Sequence, residues 1–174
     1  MAVVDGQMGI HVREERIVLG IDPGRDKTGF AFVNNQGVLL ASGIFPTNEH
    51  TKFFAALTST RGALAQWLTE GHTNSLPAKL LEAVKFIAIG DGTHSREFAQ
   101  LVSRNLPCEV LTVDERNTTL EARNLYWKIH TPNFWTRLLP EGLRVPKRVL
   151  DDLAAWAIAL RGLKKYRDIS ANKL

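Results

Sequence analysis

Hydrophobic residues in this chain fall into short, nearly continuous runs. Three of these runs end on acidic side chains, and with their acids they cover 17–22, 86–91 and 110–115. Runs of this length that are rich in Val and Ile are typical of strands buried on both faces of a parallel sheet. The pattern therefore predicts parallel strands at the centre of an α/β sheet.

The rest of the pattern predicts the elements around these strands. Short turns at 23–29 and 35–37 separate the first run from two more strands, which predicts an antiparallel three-stranded meander. The sequence Thr118–Glu121 matches a capping box and predicts the start of a helix. Further helices are predicted over 49–70, 95–105 and about 147–166, and the second and third apolar runs give strands over 84–90 and 109–113. We therefore predict a mixed α/β fold, in which a sheet of five strands (three antiparallel, then two parallel) has helices on both faces.

Length and composition predict one globular domain. The chain has 174 residues, of which 44% are hydrophobic and 23% charged. We expect the domain to cover 17–168, between a flexible leader (1–16) and a tail (169–174). No run of apolar residues is long enough to span a membrane, and the leader lacks the features of a secretory signal. The single Cys108 excludes an internal disulfide and favours a cytoplasmic location.

The acidic ends of the three runs would meet at one edge of the predicted sheet. Sites in open α/β sheets lie outside the carboxyl ends of the parallel strands, and Asp151 and Asp152 near the last helix would add carboxylates there. Clustered carboxylates raise one another's pKa unless a cation lies between them, and Mg²⁺ or Mn²⁺ prefers such ligands. The pattern thus predicts metal-assisted chemistry on phosphates. Taken singly, each acidic segment could instead be a turn or a helix start.

Basic and aromatic residues share the segment 123–150. The net charge of the chain is only +4, but in this segment six cations accompany a single acid. Such a mixture is typical of phosphate neutralisation combined with base stacking, although a solvated helix face with core aromatics is the alternative. The cations are Arg123, Lys128, Arg137, Arg144, Lys147 and Arg148, and the aromatic residues are Tyr126, Trp127, Phe134 and Trp135.

Three motifs resemble a known family. The sequence Gly-Ile-Asp-Pro-Gly-Arg-Asp-Lys-Thr-Gly at 20–29 is similar to the first strand and turn of RuvC-like nucleases, which have a ribonuclease-H fold. The sequence Asp-Glu-Arg-Asn-Thr-Thr-Leu-Glu-Ala-Arg at 114–123 resembles the more specific signature of the YqgF group, also called RuvX. Leu-Asp-Asp-Leu-Ala-Ala at 150–155 is similar to the closing helix of that group. The resemblance extends over about 17–166.

The resemblance implies a ribonuclease-H-like nuclease of structured nucleic acid. Its substrate would be branched DNA such as Holliday junctions, precursor ribosomal RNA, or both, and cleavage would be in-line hydrolysis assisted by one or two Mg²⁺ or Mn²⁺ ions. By motif, the catalytic and metal-binding acids would be Asp22, Glu115 and Asp151, with Asp91 and Asp152 as further candidate metal ligands. Nucleic acid would be bound by Arg25, Lys27 and Arg116 together with Trp135 and the cations Arg123, Lys128, Arg137, Arg144, Lys147 and Arg148.

Two features depart from the pattern of the family. The turn over 90–95 is Gly-Asp-Gly-Thr-His-Ser instead of a Gly-Leu-Pro-like sequence, and it places Asp91 near the position of a catalytic glutamate in RuvC. The insert over 124–147 is longer than usual, which leaves the choice between DNA and RNA open. Two other functions also remain open: a non-catalytic nucleic-acid-binding or ribosome-maturation factor on the same fold, and an actin-like ATPase, which would need a duplicated fold. The resemblance leaves a homodimer open.

Overall fold

A mixed six-stranded sheet lies at the centre of the structure. The structure is a computed structural model, and it describes residues 16–140, 144, 146 and 148–172. The strand order is β4-β3-β2-β1-β5-β6. The predicted leader lies outside the described residues except for Arg16, and so do the last two residues of the tail. The strands are β1 (Ile17–Pro23), β2 (Lys27–Asn34), β3 (Leu39–Pro46), β4 (Leu68–Gly71), β5 (Val84–Gly90) and β6 (Val110–Val113).

The predicted strand pairing is confirmed, but the predicted number of strands is wrong. Strands β1, β2 and β3 form the antiparallel meander, and β5 and β6 extend the sheet in parallel from β1. The additional strand is β4, which pairs antiparallel with β3. It lies inside the range 49–70, for which the sequence predicts a helix. A helix covers only His50–Thr58 of that range, and a 3₁₀ segment over Arg61–Trp67 follows. The large apolar residues of this range are buried except Leu68, which is half-buried, but three short elements take the place of one helix.

Six α-helices are present among the described residues. The prediction over 95–105 is confirmed, whereas the last helix begins at Asp151 instead of about 147 and continues through three residues of the predicted tail. None of the described helices is long and apolar enough to cross a membrane. The helices are α1 (His50–Thr58), α2 (Leu80–Ala83), α3 (Ser95–Asn105), α4 (Thr118–Ile129), α5 (Phe134–Arg137) and α6 (Asp151–Ala171).

Each face of the sheet has its own hydrophobic core, which confirms that helices cover both faces. One core joins β-strand side chains to α1 and α3, and the other joins them to α4 and α6. At its first turn, α6 comes very close to β2: a Cβ atom added at Gly29 would lie 2.9 Å from the backbone nitrogen of Asp152 and even closer to the Asp151 carbonyl. The absence of a side chain at Gly29 therefore lets the start of α6 reach the end of the sheet.

The capping box predicted at the start of α4 does not form. The N-cap residue is Asn117, which has a left-handed backbone (φ 66°) and makes no side-chain capping hydrogen bond. Asn adopts this conformation more readily than most residues. The Glu121 carboxylate, which a capping box would use, instead accepts a hydrogen bond of 2.6 Å from Arg161 on α6.

Candidate active site

Three carboxylates lie at the edge of the sheet where its parallel strands end. Asp22 is near the end of β1, Glu115 follows β6, and Asp151 is the first residue of α6. Burial, together with repulsion from Glu115 and Asp151, raises the pKa of Asp22 from its ordinary value of 3.8 to about 7. The fold therefore brings the three acids that the motifs single out into one electrostatic cluster.

The Glu115 carboxylate lies against two glycines of the turn after β5. A Cβ atom added at Gly90 would lie 2.5 Å from Oε2 of Glu115, and one added at Gly92 would lie 2.8 Å from the same oxygen. Both distances are too short for non-bonded atoms. The Gly-Asp-Gly sequence that departs from the pattern of the family therefore makes room for an acid from another strand.

Asp91, between these glycines, supports Glu115 from the backbone side. The Glu115 N–H donates a hydrogen bond of 3.0 Å to Oδ1 of Asp91, and the Asp91 side chain is exposed. Asp91 is not among the groups that raise the pKa of Asp22. The structure thus gives Asp91 a positioning contact, and its predicted role as a metal ligand stays a prediction.

Arg161 on α6 also binds the backbone next to Glu115. Its guanidinium donates to the carbonyl oxygens of Asp114 and, at 2.7 Å, Arg116, which are the two neighbours of Glu115 in the chain. Sequence reasoning missed this residue. An arginine in a helix gives no signal for such a role when its partners are backbone carbonyls more than 40 positions away.

Asp151 occupies the first turn of α6 close to the β1–β2 turn. Burial raises the pKa of Asp151, the adjacent Asp152 raises it further, and Lys27 opposes the shift. The opposing effect places the Lys27 ammonium within electrostatic range of the cluster. Lys27 and Arg25 are exposed on the turn after Asp22, where a phosphate close to the acids could meet them.

Asp152 belongs to a different set of contacts from its neighbour. Its carboxylate has no exposed surface and accepts hydrogen bonds from Ser42 Oγ at 2.9 Å and Thr69 Oγ1 at 2.5 Å. Arg148 forms an ion pair of 2.7 Å with Asp152 and a second of 2.6 Å with Glu70 on β4. The structure therefore places both Asp152 and Arg148, each predicted from the sequence to act in the site, in an internal network.

The other predicted cations vary in their surroundings. Arg116 is exposed and pairs with Asp114 at 3.0 Å. Arg144 donates at 3.0 Å to the carbonyl oxygen of Leu139, so its guanidinium is already engaged. Lys147 lies outside the described residues. The side chains of Lys128 and Arg137 are exposed, and that of Arg123 is half-buried.

The aromatic residues of the insert divide into two pairs. Phe134 and Trp135 on α5 are 70% and 75% exposed, and their ring centroids are 5.5 Å apart. Tyr126 and Trp127 on α4 are half-buried, and Trp127 Nε1 donates at 3.3 Å to the carbonyl oxygen of Arg144. The alternative of core aromatics is therefore wrong for the α5 pair. A cleft beside it is lined by Asn124, Trp127, Lys128, Pro132, Arg137 and Arg144.

The donor set suits a hard divalent cation. Asp22, Glu115 and Asp151 offer only carboxylate oxygens, which are the ligands that Mg²⁺ and Mn²⁺ prefer, and a cation would relieve the repulsion acting on Asp22. In the described part of the chain, no group of three or more acidic, His or Cys side chains is arranged to hold a metal ion as it stands.

Replacing Asp22 with Asn should stabilise the metal-free protein at pH 8. Because the pKa of Asp22 is raised by folding, the folded protein keeps a proton that the unfolded chain releases, so ionisation costs stability as pH rises from about 4 to about 7. The amide cannot ionise. We expect a gain of up to about 4 kcal/mol at pH 8, or roughly 8–16 °C in melting temperature, and little gain at pH 4. Thermal melts at both pH values check this, and an equal gain at both would contradict the electrostatic account.

The carboxylate cluster, the two glycines beside Glu115 and the Arg161 contacts together define the candidate site. No protein-family model matches the chain, and no curated protein matches it. The function is therefore inferred from the chemistry of these side chains.

Proposed function

We propose that this protein is a metal-dependent endonuclease that hydrolyses phosphodiester bonds in structured nucleic acid. The observation that carries the proposal is the position of Asp22, which is partly buried beside Glu115 and Asp151 at the carboxyl edge of the sheet. Carboxylates that raise one another's pKa in this way form a site for a divalent cation and disfavour a bound anion. The cation would in turn allow a phosphate to approach the acids.

The proposal includes a ribonuclease-H-like fold of the RuvC and YqgF type. The sheet supports this assignment, because without β4 it consists of an antiparallel meander extended by two parallel strands. The motifs over 20–29, 114–123 and 150–155 lie at the end of β1, before and along α4, and at the start of α6. Each motif thus contributes one acid to the cluster.

Asp22, Glu115 and Asp151 would hold one or two Mg²⁺ or Mn²⁺ ions. When bound, such ions lower the pKa of water and neutralise charge on the reacting phosphate. Asp22 must lose its proton before it can ligate, and since its pKa is about 7, metal affinity should rise with pH up to that value. Asp91 and Arg161 hold the backbone on both sides of Glu115, so that its carboxylate stays directed at the cluster.

Lys27 and Arg25 would bind the phosphates next to the cleaved bond. Both lie on the turn that follows Asp22, and Lys27 is within electrostatic range of Asp151. The insert would hold the strand farther along, with the exposed α5 rings as stacking surfaces and Arg137 and Lys128 as phosphate partners. This division separates chemistry, carried by the sheet edge, from substrate binding, carried by the insert.

Truncating Trp135 to Ala should weaken nucleic-acid binding about 5- to 100-fold, because stacking contributes about 1–3 kcal/mol per base. The melting temperature should hardly change, because the side chain is 75% exposed. Titration of a fluorescent single strand in metal-free buffer measures the first effect, and thermal unfolding measures the second. Leu138→Ala is the matched control, because it removes an exposed apolar side chain without a ring from the end of the same helix. A Trp135→Ala protein that binds like the parent would exclude stacking.

A cleavage panel tests the proposed function directly. Junction DNA, linear duplex, single-stranded DNA and structured RNA are each incubated with Mg²⁺ or Mn²⁺ and either the parent or Asp22→Asn. We expect cleavage of junction DNA or structured RNA by the parent alone. Binding without cleavage under every condition would instead favour a non-catalytic nucleic-acid-binding factor.

A further inference from the structure

A groove of about 810 Å³ opens beside the candidate site, between α3 and the edge strand β6. Gly92, which contacts the Glu115 carboxylate, also lines this groove. The groove therefore begins next to the carboxylate cluster and continues along α3. The groove is lined neither by the three acids of the carboxylate cluster nor by residues of the insert.

One residue that lines this groove, Ser95, has a buried hydroxyl group without a partner. Ser95, the first residue of α3, is only 3% exposed. Its Oγ atom is the one buried side-chain nitrogen or oxygen among the described residues that has no hydrogen-bond partner. Since an unsatisfied buried polar group costs stability, such atoms are rare, and a bound ion is one of the partners that can supply the missing bond.

The backbone at the same point offers further donors. His94 is the N-cap residue of α3 and makes no side-chain capping bond. The Ser95 and Phe98 N–H groups donate to Gly92 and His94, while the N–H groups of Arg96 and Glu97 have no acceptor within the described chain. Free N–H groups in the first turn, together with the helix dipole, favour an anion at this end.

The charged side chains that line the groove have both signs. Arg96 and Arg104 are exposed cations on α3 that form no ion pair within the described residues. Asp91 and Glu97 line it as well, but Asp91 already accepts the Glu115 N–H. Arg96, one residue from the unpartnered hydroxyl, can thus supply a counter-charge to an anion at the start of α3.

We propose that the start of α3 binds a phosphate group through the Ser95 hydroxyl and the Arg96 and Glu97 N–H groups, with the Arg96 guanidinium as counter-charge. Such a site reads no base sequence, since phosphate contacts fix the position of a strand without identifying it. The identity of the ligand rests on the proposed function: the site would hold a backbone phosphate of the nucleic acid, close to the bond cleaved at the carboxylate cluster. It would then set which phosphodiester reaches Asp22.

Titration with inorganic phosphate tests the site without metal or catalysis. In the full chain treated with a chelator, the backbone amide NMR signals of Arg96 and Glu97 should shift in a saturable way. Ser95→Ala should weaken this binding at least fivefold without lowering the melting temperature, because the hydroxyl has no partner to lose within the protein. Ser103→Ala, an exposed serine on the same helix and the same groove, is the matched control and should bind like the parent. No shift, or equal binding by Ser95→Ala and the parent, would overturn the phosphate site.

A second measurement separates a strand phosphate from free phosphate. With a cleavable oligonucleotide, Ser95→Ala should raise KM about fivefold or more while kcat changes little. An unchanged KM alongside weakened phosphate binding would overturn the assignment to a strand. If the parent cleaves nothing, the proposed function fails, and inorganic phosphate still decides whether this site exists.

Discussion

Replacing Asp22 with Asn should abolish the proposed metal-dependent cleavage while the protein stays folded. The change removes a negative charge and almost no volume from the centre of the carboxylate cluster. Loss of a residue that merely supports a metal ligand costs about 10- to 100-fold, so we expect at least about 100-fold for Asp22 itself. Initial cleavage rates across a range of Mn²⁺ concentrations measure the effect, and circular dichroism verifies the fold.

Asp26→Asn is the matched control for this experiment. Asp26 lies four residues farther along the chain, its side chain is exposed, and its backbone carbonyl accepts a hydrogen bond of 2.9 Å from the Thr47 N–H, outside the cluster. We expect its cleavage rate to stay within about twofold of the parent. An Asp22→Asn protein that cleaves as fast as Asp26→Asn with the same metal would place the active site elsewhere.

Replacing Arg148 with Gln should destabilise the protein by about 3–5 kcal/mol, because it leaves a buried carboxylate without its cation. Asp152 has no exposed surface, and among the described residues only Ser42 and Thr69 would remain as its partners. Glu70 would also lose its 2.6 Å ion pair with Arg148 and keep only His130, at 2.7 Å. Urea unfolding followed by circular dichroism measures the loss.

Two further variants decide whether charge burial is the cause. Arg116→Gln breaks an exposed ion pair with Asp114 and should cost less than about 1 kcal/mol. Combining Arg148→Gln with Asp152→Asn removes both charges, so the double variant should be more stable than Arg148→Gln alone. If Arg148→Gln lowers the free energy of unfolding no more than Arg116→Gln does, the network does not act as a buried ion pair. The same conclusion follows if the double variant is the least stable of the variants.

The parallel strands could be predicted because continuous apolar runs have few other uses in a chain of this length. Strand β4 could not, since Thr69 and Glu70 are polar residues inside a segment whose apolar spacing matches a helix. What holds β4 in the sheet lies far away in the sequence: Thr69 donates to Asp152 on α6, and Glu70 pairs with Arg148. Contacts over more than 70 positions leave no local signal.

The same distinction applies to the candidate site. The positions of Asp22 and Glu115 follow from strand ends, and the closing-helix motif indicates Asp151. The different surroundings of the Asp151 and Asp152 side chains could not be predicted, because adjacent residues in the first turn of a helix look equivalent in a sequence. Packing separates them: one faces the cluster, and the other faces Ser42 on β3.

The two outer strands affect how the protein would meet a second copy of itself. Both β4 and β6 have only four residues, and β4 carries a charged side chain, Glu70. On β6 the Thr112 carbonyl oxygen accepts a hydrogen bond of 2.8 Å from Lys165. Short, charged or covered edge strands resist the addition of foreign strands and hence aggregation through the sheet. Self-association of this chain would therefore have to use helix or loop surfaces in place of a continuous intermolecular sheet.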